Sequence, residues 1–209
     1  FGHEKGAERV EQLLDWCAKI GVKSVTLYAF STENFRRPQK EVEEIMRIAA
    51  DRLQKILTDE RIHRNKIRVK VIGRVHLLPA YLQNLIAEVE EATKKYSEHF
   101  LNIAFAYGGR AEIVDAARKI SEKVKQNELK PEDVDESLFE RFLYTSHLPK
   151  QDPDLIIRTS GEERLSGFLL WQSAYSELCF LDVYWPDFRL IDLLRAVRTF
   201  QKRKRRFGA

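Results

Sequence analysis

The sequence LNIAFAY, which runs from Leu101 to Tyr107, gives the clearest indication of the fold. A short and mostly apolar run of this kind is typical of a buried β-strand, and the Gly108-Gly109 pair that follows it is a turn signal. Apolar residues then recur at helical spacing over residues 113–124. A strand, a glycine turn and a helix in this order form the repeating unit of α/β folds.

The same alternation continues on both sides of this unit. Further strand patterns lie at residues 25–30, 67–72, 154–159 and 178–181, and further helix patterns at 10–20, 41–57, 81–94 and 190–205. Strands separated by helices of ten or more residues favour a parallel sheet covered by helices. The sequence therefore predicts one α/β domain over residues 1–209, with a largely parallel central sheet flanked by helices, and it predicts that the run VTLYAF at 25–30 is a buried strand.

Composition excludes several classes of protein. With 44% hydrophobic and 33% charged residues, the chain can build a core and is not disordered by composition. No apolar run approaches the roughly 20 residues that span a bilayer. Cys17 and Cys179 lie far apart in apolar patterns, which favours two buried free thiols and a reducing, cytosolic setting.

Charge and strand ends together predict an anion site. The net charge of +4 suits a nucleic acid, a membrane surface or a phosphorylated small molecule, without choosing among them. Three predicted strands end in polar sequences, and the carboxyl ends of parallel strands meet at one edge of a sheet. These sequences are FSTEN at 30–34, YGGR at 107–110 and RTSGE at 158–162.

The residue types at this edge suit phosphate groups. Arginine forks match phosphate oxygens, and carboxylates next to phosphates commonly hold Mg²⁺. The sequence has no Walker-type loop, no G-x-G-x-x-G after a strand, no paired Cys/His set and no G-x-S-x-G elbow. These absences disfavour a nucleoside triphosphatase, a dinucleotide enzyme, a zinc protein and an α/β-hydrolase.

Two long stretches resemble the signature segments of the cis-prenyltransferase family: LYAFSTENFRRP at 27–38 and DLIIRTSGEERLSGFLLWQ at 154–172. Shorter matches stand in the family's order, at 2–3, 102–104, 107–110, 177–178, 185–188 and 206–208. The resemblance implies an enzyme that condenses isopentenyl diphosphate units onto an allylic prenyl diphosphate. It also implies a hydrophobic product tunnel and a long-chain polycis-polyprenyl diphosphate that serves as a lipid carrier for glycan assembly.

The resemblance also implies roles for individual residues. The catalytic set is Ser31, Glu33 and Asn34, with Asn34 orienting a proton path rather than acting as a base. The substrate-binding set is His3, Ser31, Thr32, Glu33, Phe35, Arg37, Arg158, Arg164, Leu165, Ser166 and Arg206. The implied cofactor is Mg²⁺, held in part by Glu177 and Glu163. Because bacterial relatives often carry His where Glu163 stands, the sequence resembles the archaeal and eukaryotic side of the family.

The remaining expectations concern partners and the chain's amino end. The resemblance implies a farnesyl or geranylgeranyl primer, a homodimer and no nucleic acid. The basic tail at 202–206 is by default a solvated helix end, and its charge also suits peripheral contact with an anionic membrane surface. The family's metal-handling Asp lies in an Asp-Gly-Asn turn before Gly2-His3, so we expect that catalytic segment upstream of Phe1 and negligible turnover by residues 1–209 alone. Two alternatives stay open: a non-catalytic partner subunit and a basic nucleic-acid-binding domain.

Overall fold

The computed structural model of the chain describes residues 2–203. Helices and strands alternate along this range as the sequence predicts. The helices are α1 (Gly2–Lys19), α2 (Gln39–Thr58), α3 (Glu60–Arg64), α4 (Ala80–Thr93), α5 (Gly109–Lys125), α6 (Glu136–Glu140) and α7 (Leu190–Lys202). The strands are β1 (Ser24–Ser31), β2 (Ile67–Ile72), β3 (His99–Tyr107), β4 (Leu155–Arg158) and β5 (Glu177–Phe180).

The two unpredicted helices, α3 and α6, have five residues each. A segment this short contains too few turns for hydrophobic periodicity to be visible. Their amino ends are instead fixed by capping carboxylates, because Asp59 accepts from the Arg61 amide and Asp135 accepts from the Leu138 amide.

All strand pairs are parallel, but the strands form two sheets. Within residues 2–203, one sheet has the order β1-β3-β2 and the other pairs β4 with β5. Ser31 lies opposite Tyr107, so β1 and β3 end at the same level. The predicted parallel α/β architecture is confirmed, and the division into two sheets is a feature that the sequence pattern did not indicate.

The main core lies between the three-stranded sheet and helices α2 and α4. Phe30, Val69 and Phe105 of the sheet pack with Leu82 and Val89 of α4, and each of these side chains is at most 5% exposed. Burial of this size contributes roughly 1.5–3 kcal/mol per large apolar side chain. This core fixes the ends of β1 and β3, where the polar strand-end sequences begin.

The prediction that residues 25–30 form a buried strand is wrong for most of its side chains. Only Phe30 is buried, whereas Ala29 is exposed and the others are half-buried. The reason is that β1 is an edge strand, since β3 is its only strand partner within residues 2–203. Its side chains and those of β4 line a cleft of about 2110 Å³.

Three further observations bear on the expectations from composition. Both cysteines are free thiols and Cys17 is buried, as predicted. The prediction that Cys179 is buried is wrong, because it lies half-buried on β5, an edge strand of the two-stranded sheet. Burial raises the pKa of Cys17 to about 11, which keeps it protonated and unreactive. No helix in the described range has the length and apolar character needed to cross a membrane.

Candidate active site

The ends of β1, β3 and β4 converge at one edge of the molecule. The Gly109 amide, just after β3, donates to the carbonyl oxygen of Gly167 at 2.8 Å. The hydroxyl of Tyr28 in β1 reaches the carbonyl oxygen of Ser166 at 3.4 Å. A Cβ placed on Gly108 would lie 2.9 Å from Oγ1 of Thr32. The three polar strand ends therefore lie together, as predicted, although β4 belongs to the second sheet.

Gly109 allows the close approach of the loop that follows β4. A Cβ at this position would lie 2.5 Å from the carbonyl oxygen of Gly167 and 2.8 Å from Cγ of Leu170. The first of these atoms belongs to the backbone and cannot move aside without moving the loop. Only glycine lets the turn after β3 and this loop lie in contact.

Residues 159–172, the first part of the segment between β4 and β5, are called the β4 loop below. At its base, Nη1 of Arg158 donates to Oγ of Ser166 at 2.7 Å and also to the carbonyl oxygen of Arg164. These bonds aim the guanidinium across the loop. A guanidinium held beside a serine hydroxyl is a suitable donor set for a diphosphate.

Three residues of the β4 loop other than glycine adopt positive φ angles. They are Ser160 at 76°, Ser166 at 48° and Leu169 at 44°. Each such residue costs of order 1–2 kcal/mol, so it persists only where surrounding contacts impose it. Strain of this kind is concentrated at binding and catalytic sites, and one of the three residues, Ser166, is the hydrogen-bond partner of Arg158.

The 3₁₀ turn Thr32–Arg36, called the β1 turn below, follows β1 directly. Oδ1 of Asn34 accepts from the backbone amide of Ser31 at 2.9 Å. This bond fixes the amide orientation, so Asn34 presents its NH₂ group as a donor. The backbone amide of Glu33 and the hydroxyls of Ser31 and Thr32 lower the pKa of Glu33, which therefore stays ionised.

Tyr28 is a site residue that the sequence reasoning did not single out. Its ring stacks on Phe168 with centroids 5.0 Å apart, and its hydroxyl lies near Ser31 as well as Ser166. Burial raises its pKa, and the carboxylate of Glu33 raises it further, so the hydroxyl stays protonated and can donate. Its position inside the signature segment 27–38 was the available signal.

Most of the predicted residues lie on the wall of the cleft. Those that do are Ser31, Thr32, Glu33, Asn34, Arg37, Arg158, Leu165 and Ser166. The Arg37 guanidinium is paired with Glu41 at 2.6 Å. Phe35 turns away and packs edge-to-face on Phe30 with centroids 4.9 Å apart, because the β1 turn rests on the main core. Arg206 and the side chain of His3 lie outside the described residues.

The remaining predicted residues lie away from the cleft wall. Arg164 is exposed and paired with Glu162, and Glu163 is exposed beside them. Glu177 lies opposite Leu155, three residues (about 10 Å) before the level of Arg158. Its Oε2 accepts from Nη1 of Arg203 at 2.7 Å. In the described part of the chain, no group of three or more acids, histidines and cysteines could hold a metal ion.

Comparison with known proteins identifies the family. The sequence model of the family described as "Putative undecaprenyl diphosphate synthase" matches residues 1–208. The chain belongs to the undecaprenyl diphosphate synthase family. Members of this family are cis-prenyltransferases, and the chain is accordingly a transferase that makes prenyl diphosphates.

Curated relatives of this cis-prenyltransferase come from archaea. The tritrans,polycis-undecaprenyl-diphosphate synthase (geranylgeranyl-diphosphate specific) of Methanocaldococcus jannaschii is 56% identical over 208 residues, which cover 100% of this chain and 74% of the relative. The Methanopyrus kandleri enzyme of the same name is 55% identical over 207 residues, covering 99% of the chain and 76% of the relative. The resemblance to the archaeal side of the family is therefore confirmed.

The fold of this cis-prenyltransferase is similar to that of a solved structure. Lavandulyl diphosphate synthase from Lavandula x intermedia, in complex with dimethylallyl diphosphate, superposes with a TM-score of 0.94 at 38% sequence identity. The match covers 100% of this chain and 88% of that structure. The predicted fold is thereby confirmed, whereas the roles of individual site residues remain predictions.

Proposed function

We propose that this cis-prenyltransferase condenses isopentenyl diphosphate onto geranylgeranyl diphosphate and makes a long-chain tritrans,polycis-polyprenyl diphosphate. The observation that carries the proposal is the pairing of Arg158 with Ser166 on the cleft wall, near the β1 turn. The archaeal relatives that are named geranylgeranyl-diphosphate specific support this primer. Use of the product as a lipid carrier for glycan assembly is part of the same proposal.

Isopentenyl diphosphate binds at the β4 loop. Arg158 offers a guanidinium that already faces the Ser166 hydroxyl, so both groups can donate to the same diphosphate. Leu165 lines the adjoining wall, and Arg164 gains access by exchanging its exposed contact with Glu162 for the ligand. An exposed ion pair of this kind is worth little and is exchanged at low cost.

The allylic diphosphate binds on the side of the β1 turn. Arg37 lies on the cleft wall and would leave Glu41 for the stronger diphosphate charge. Condensation breaks the allylic C–O bond, forms the new C–C bond and removes one proton from the isopentenyl unit. A donor aimed at the departing diphosphate stabilises the charge that develops there.

Asn34 orients the path of that proton. Its Oδ1 is engaged with the Ser31 amide, which leaves the NH₂ group to bind an oxygen of a diphosphate or hydroxyl. The proton then passes to that acceptor, because a neutral amide is too weak a base to hold it. The ionised Glu33 accepts from Ser31 and Thr32 and so fixes the hydroxyls of the β1 turn.

The prenyl chain occupies the apolar part of the cleft. Ligand pockets are lined mainly by apolar side chains with a few polar groups, and this part of the cleft is apolar. Ile45 and Ala49 of α2 and Ile86 of α4 line it. Replacing Ala49 by Leu should shift the products to shorter chain lengths, as measured by chromatography of the dephosphorylated products. An unchanged distribution of chain lengths would show that this part of α2 does not line the product tunnel.

A further segment completes the allylic half of the site. The outer edge of β1 and the free edge of β4 both line the cleft and have no strand partner within residues 2–203. An additional parallel strand between them would satisfy both rows of backbone groups and join the two sheets. Its carboxyl end would then lie beside the β1 turn, where the allylic diphosphate needs further donors.

Mg²⁺ belongs to the proposal as a family trait, but the described residues do not form a ligand set for it. Glu177 is engaged by Arg203, and Glu163 is exposed on the β4 loop. A bound Mg²⁺ would take most of its ligands from substrate oxygens. No step is therefore assigned to the metal. A homodimer and a contact of the basic tail with the membrane likewise remain part of the proposal.

The test compares binding with turnover. Isopentenyl diphosphate with Mg²⁺ should raise the melting temperature of residues 1–209, because a ligand that binds only the folded state stabilises it. The polypeptide expressed from the complete natural reading frame should incorporate labelled isopentenyl diphosphate faster with geranylgeranyl than with farnesyl or geranyl diphosphate, whereas residues 1–209 should turn over negligibly. Absence of both binding and incorporation would refute the proposed function.

A further inference from the structure

Ion pairs connect α1 to α2 and α3 on the wall of the cleft. Nη1 of Arg52 in α2 donates to Oε1 of Glu11 in α1. At the start of α3, Nη1 of Arg61 lies 3.3 Å from Oδ1 of Asp15 in α1, and its Nη2 lies 2.7 Å from Oδ2 of Asp59. All five residues line the same cleft as the proposed site. The side chains of Arg52 and Glu11 are 27% and 42% exposed, so this pair is partly removed from water.

The position of the Arg52–Glu11 pair along the cleft follows from the course of α2. This helix begins just after the β1 turn, at the edge where β1 and β3 end, and the chain must return to the opposite edge before β2 begins. Ile45 and Ala49 therefore lie nearer to the strand ends than Arg52, which is about 20 Å along the axis from the first residue of α2. The ion pair thus lies where the apolar wall formed by Ile45 and Ala49 ends.

A prenyl chain that grows in this cleft approaches the ion pair from the strand ends. Each condensation forms its new bond at the diphosphate-bearing end of the chain, so the apolar tail moves further from the substrates with every unit added. A tail that passes between Arg52 and Glu11 excludes water from both charges and offers no hydrogen bond in return, which is costly. Elongation therefore becomes unfavourable once the tail reaches this pair.

We propose that the Arg52–Glu11 ion pair is the floor of the prenyl cleft and determines the length of the product. The proposal rests on the proposed function, because it places the prenyl chain in this cleft. Arg61 stays paired with Asp59 and Asp15 when Glu11 is replaced. Replacing both Arg52 and Glu11 by apolar residues therefore removes the floor without leaving a charge unpaired.

The experiment measures the products of the polypeptide expressed from the complete natural reading frame, with geranylgeranyl and isopentenyl diphosphate as substrates. Glu11→Met combined with Arg52→Met removes both charges and keeps unbranched side chains that favour helices. Chromatography of the dephosphorylated products should show a main product longer than that of wild type. The single variant Arg52→Met leaves Glu11 with Arg61 at 3.8 Å, and should shift the products in the same direction by a smaller amount.

A matched control lies on the same two helices. Nη2 of Arg47 in α2 is 3.6 Å from Oε1 of Glu4 in α1, but neither residue lines the cleft. Glu4→Met combined with Arg47→Met therefore removes a comparable ion pair between α1 and α2 and should leave the product lengths unchanged. The exchange of charges, Glu11→Arg with Arg52→Glu, rebuilds the floor in the reverse order and should also give products of wild-type length.

The outcomes separate the inference from the proposed function. Unchanged product lengths in the methionine variants of Arg52 would overturn the role of the ion pair, and the single variant decides the question if the double variant does not fold. Longer products from the exchanged charges, or from the Glu4 and Arg47 control, would also overturn it, because a charged floor would then not be the cause. A wild-type protein that makes no product would instead overturn the proposed function.

Discussion

The β1 turn and the β4 loop meet at the same edge of the molecule, but different kinds of contact hold them there. The β1 turn is fixed locally, by the bond between Asn34 and the Ser31 amide and by Phe35 on Phe30. The β4 loop is fixed from a distance, by the contact of Gly109 with Gly167 and by the bond from Gln172 to the buried carboxylate of Glu112 in α5. A substitution near the β1 turn should therefore act locally, whereas the β4 loop can be altered from more than fifty residues away.

The largest effect is expected from a substitution of Arg158, at the base of the β4 loop. Arg158→Lys keeps the charge but loses the planar guanidinium, whose Nη1 donates to both Ser166 and the carbonyl of Arg164 and whose other nitrogens could complete a bidentate contact with a diphosphate. We expect the dissociation constant for isopentenyl diphosphate to rise on the order of 100-fold, as measured by titration calorimetry. Arg118→Lys, at a side chain that is 74% exposed, is the control and should bind normally. If Arg158→Lys binds isopentenyl diphosphate with wild-type affinity, this guanidinium does not bind the diphosphate.

The next prediction separates the two functions of Asn34 in the β1 turn. Asn34→Asp keeps an oxygen for the Ser31 amide but loses the NH₂ donors. In the polypeptide expressed from the complete natural reading frame, the melting temperature should therefore stay unchanged while incorporation of isopentenyl units falls tenfold or more. Asn34→Ala should lose activity and also about 1 kcal/mol of stability, because the amide of Ser31 loses its partner. Normal incorporation by Asn34→Asp would exclude a donor role for Asn34.

A smaller effect should appear in the pH dependence of stability. His147, in the segment before β4, contacts Oδ1 of Asn102 in β3 at 2.7 Å. Burial, with Lys70 and Arg68 nearby, lowers its pKa from 6.5 to about 4. The neutral ring is favoured in the folded state, so the stability that it contributes is complete above pH 6.5 and is lost as the pH falls towards 4.

Because the His147 ring is partly exposed, solvent screening should limit this loss to roughly 1–2 kcal/mol. Urea unfolding of His147→Gln between pH 7 and 4 should give a flatter dependence than wild type. His76→Gln, at an exposed position, should retain the wild-type slope. Parallel curves for wild type and His147→Gln would contradict the assignment.

The smallest expected effect comes from a substitution in the β4 loop that relieves backbone strain but also removes a group that binds the diphosphate. Ser166→Gly removes the side chain from a position with φ of 48°, so the free energy of unfolding should rise by about 0.5–1 kcal/mol. The same change removes the hydroxyl beside Arg158 and should weaken isopentenyl diphosphate about fivefold. Ser166→Ala should weaken binding equally without the gain in stability, and a gain in both variants would exclude backbone strain as its cause.

The sequence predicted the parts of the structure that depend on local pattern. The main strands and helices follow from hydrophobic periodicity, and the meeting of FSTEN and YGGR at one edge follows from the parallel pairing of β1 with β3. RTSGE lies beside them as predicted, although its strand belongs to the second sheet. The α/β architecture required no knowledge of distant contacts. The named roles at Asn34, Arg158 and Ser166 came from resemblance, and the structure adds their hydrogen-bond partners.

Features that depend on distant partners were not predictable. Whether β1 is a central or an edge strand depends on which strands pair with it, so VTLYAF appeared buried although most of it is not. Leu169 and Ser166 have positive φ angles that their residue types do not favour, and they depend on contacts with Tyr107 for Leu169 and with Tyr28 and Arg158 for Ser166. An acid in the first turn of a helix is common and is usually exposed, so the sequence gives no sign that Glu112 is buried. Its burial depends on the segments that pack over α5.

The half-buried face of β1 also bears on how the molecule behaves in concentrated solution. Residues 25–30 carry no charge and are rich in β-branched and aromatic side chains, and the outer edge of β1 has no strand partner in the described chain. An uncharged edge of this kind is a template for edge-to-edge association between copies. Residues 1–209 should therefore form reversible aggregates as concentration rises. A short parallel β-strand peptide that occupies this edge would suppress them by competition.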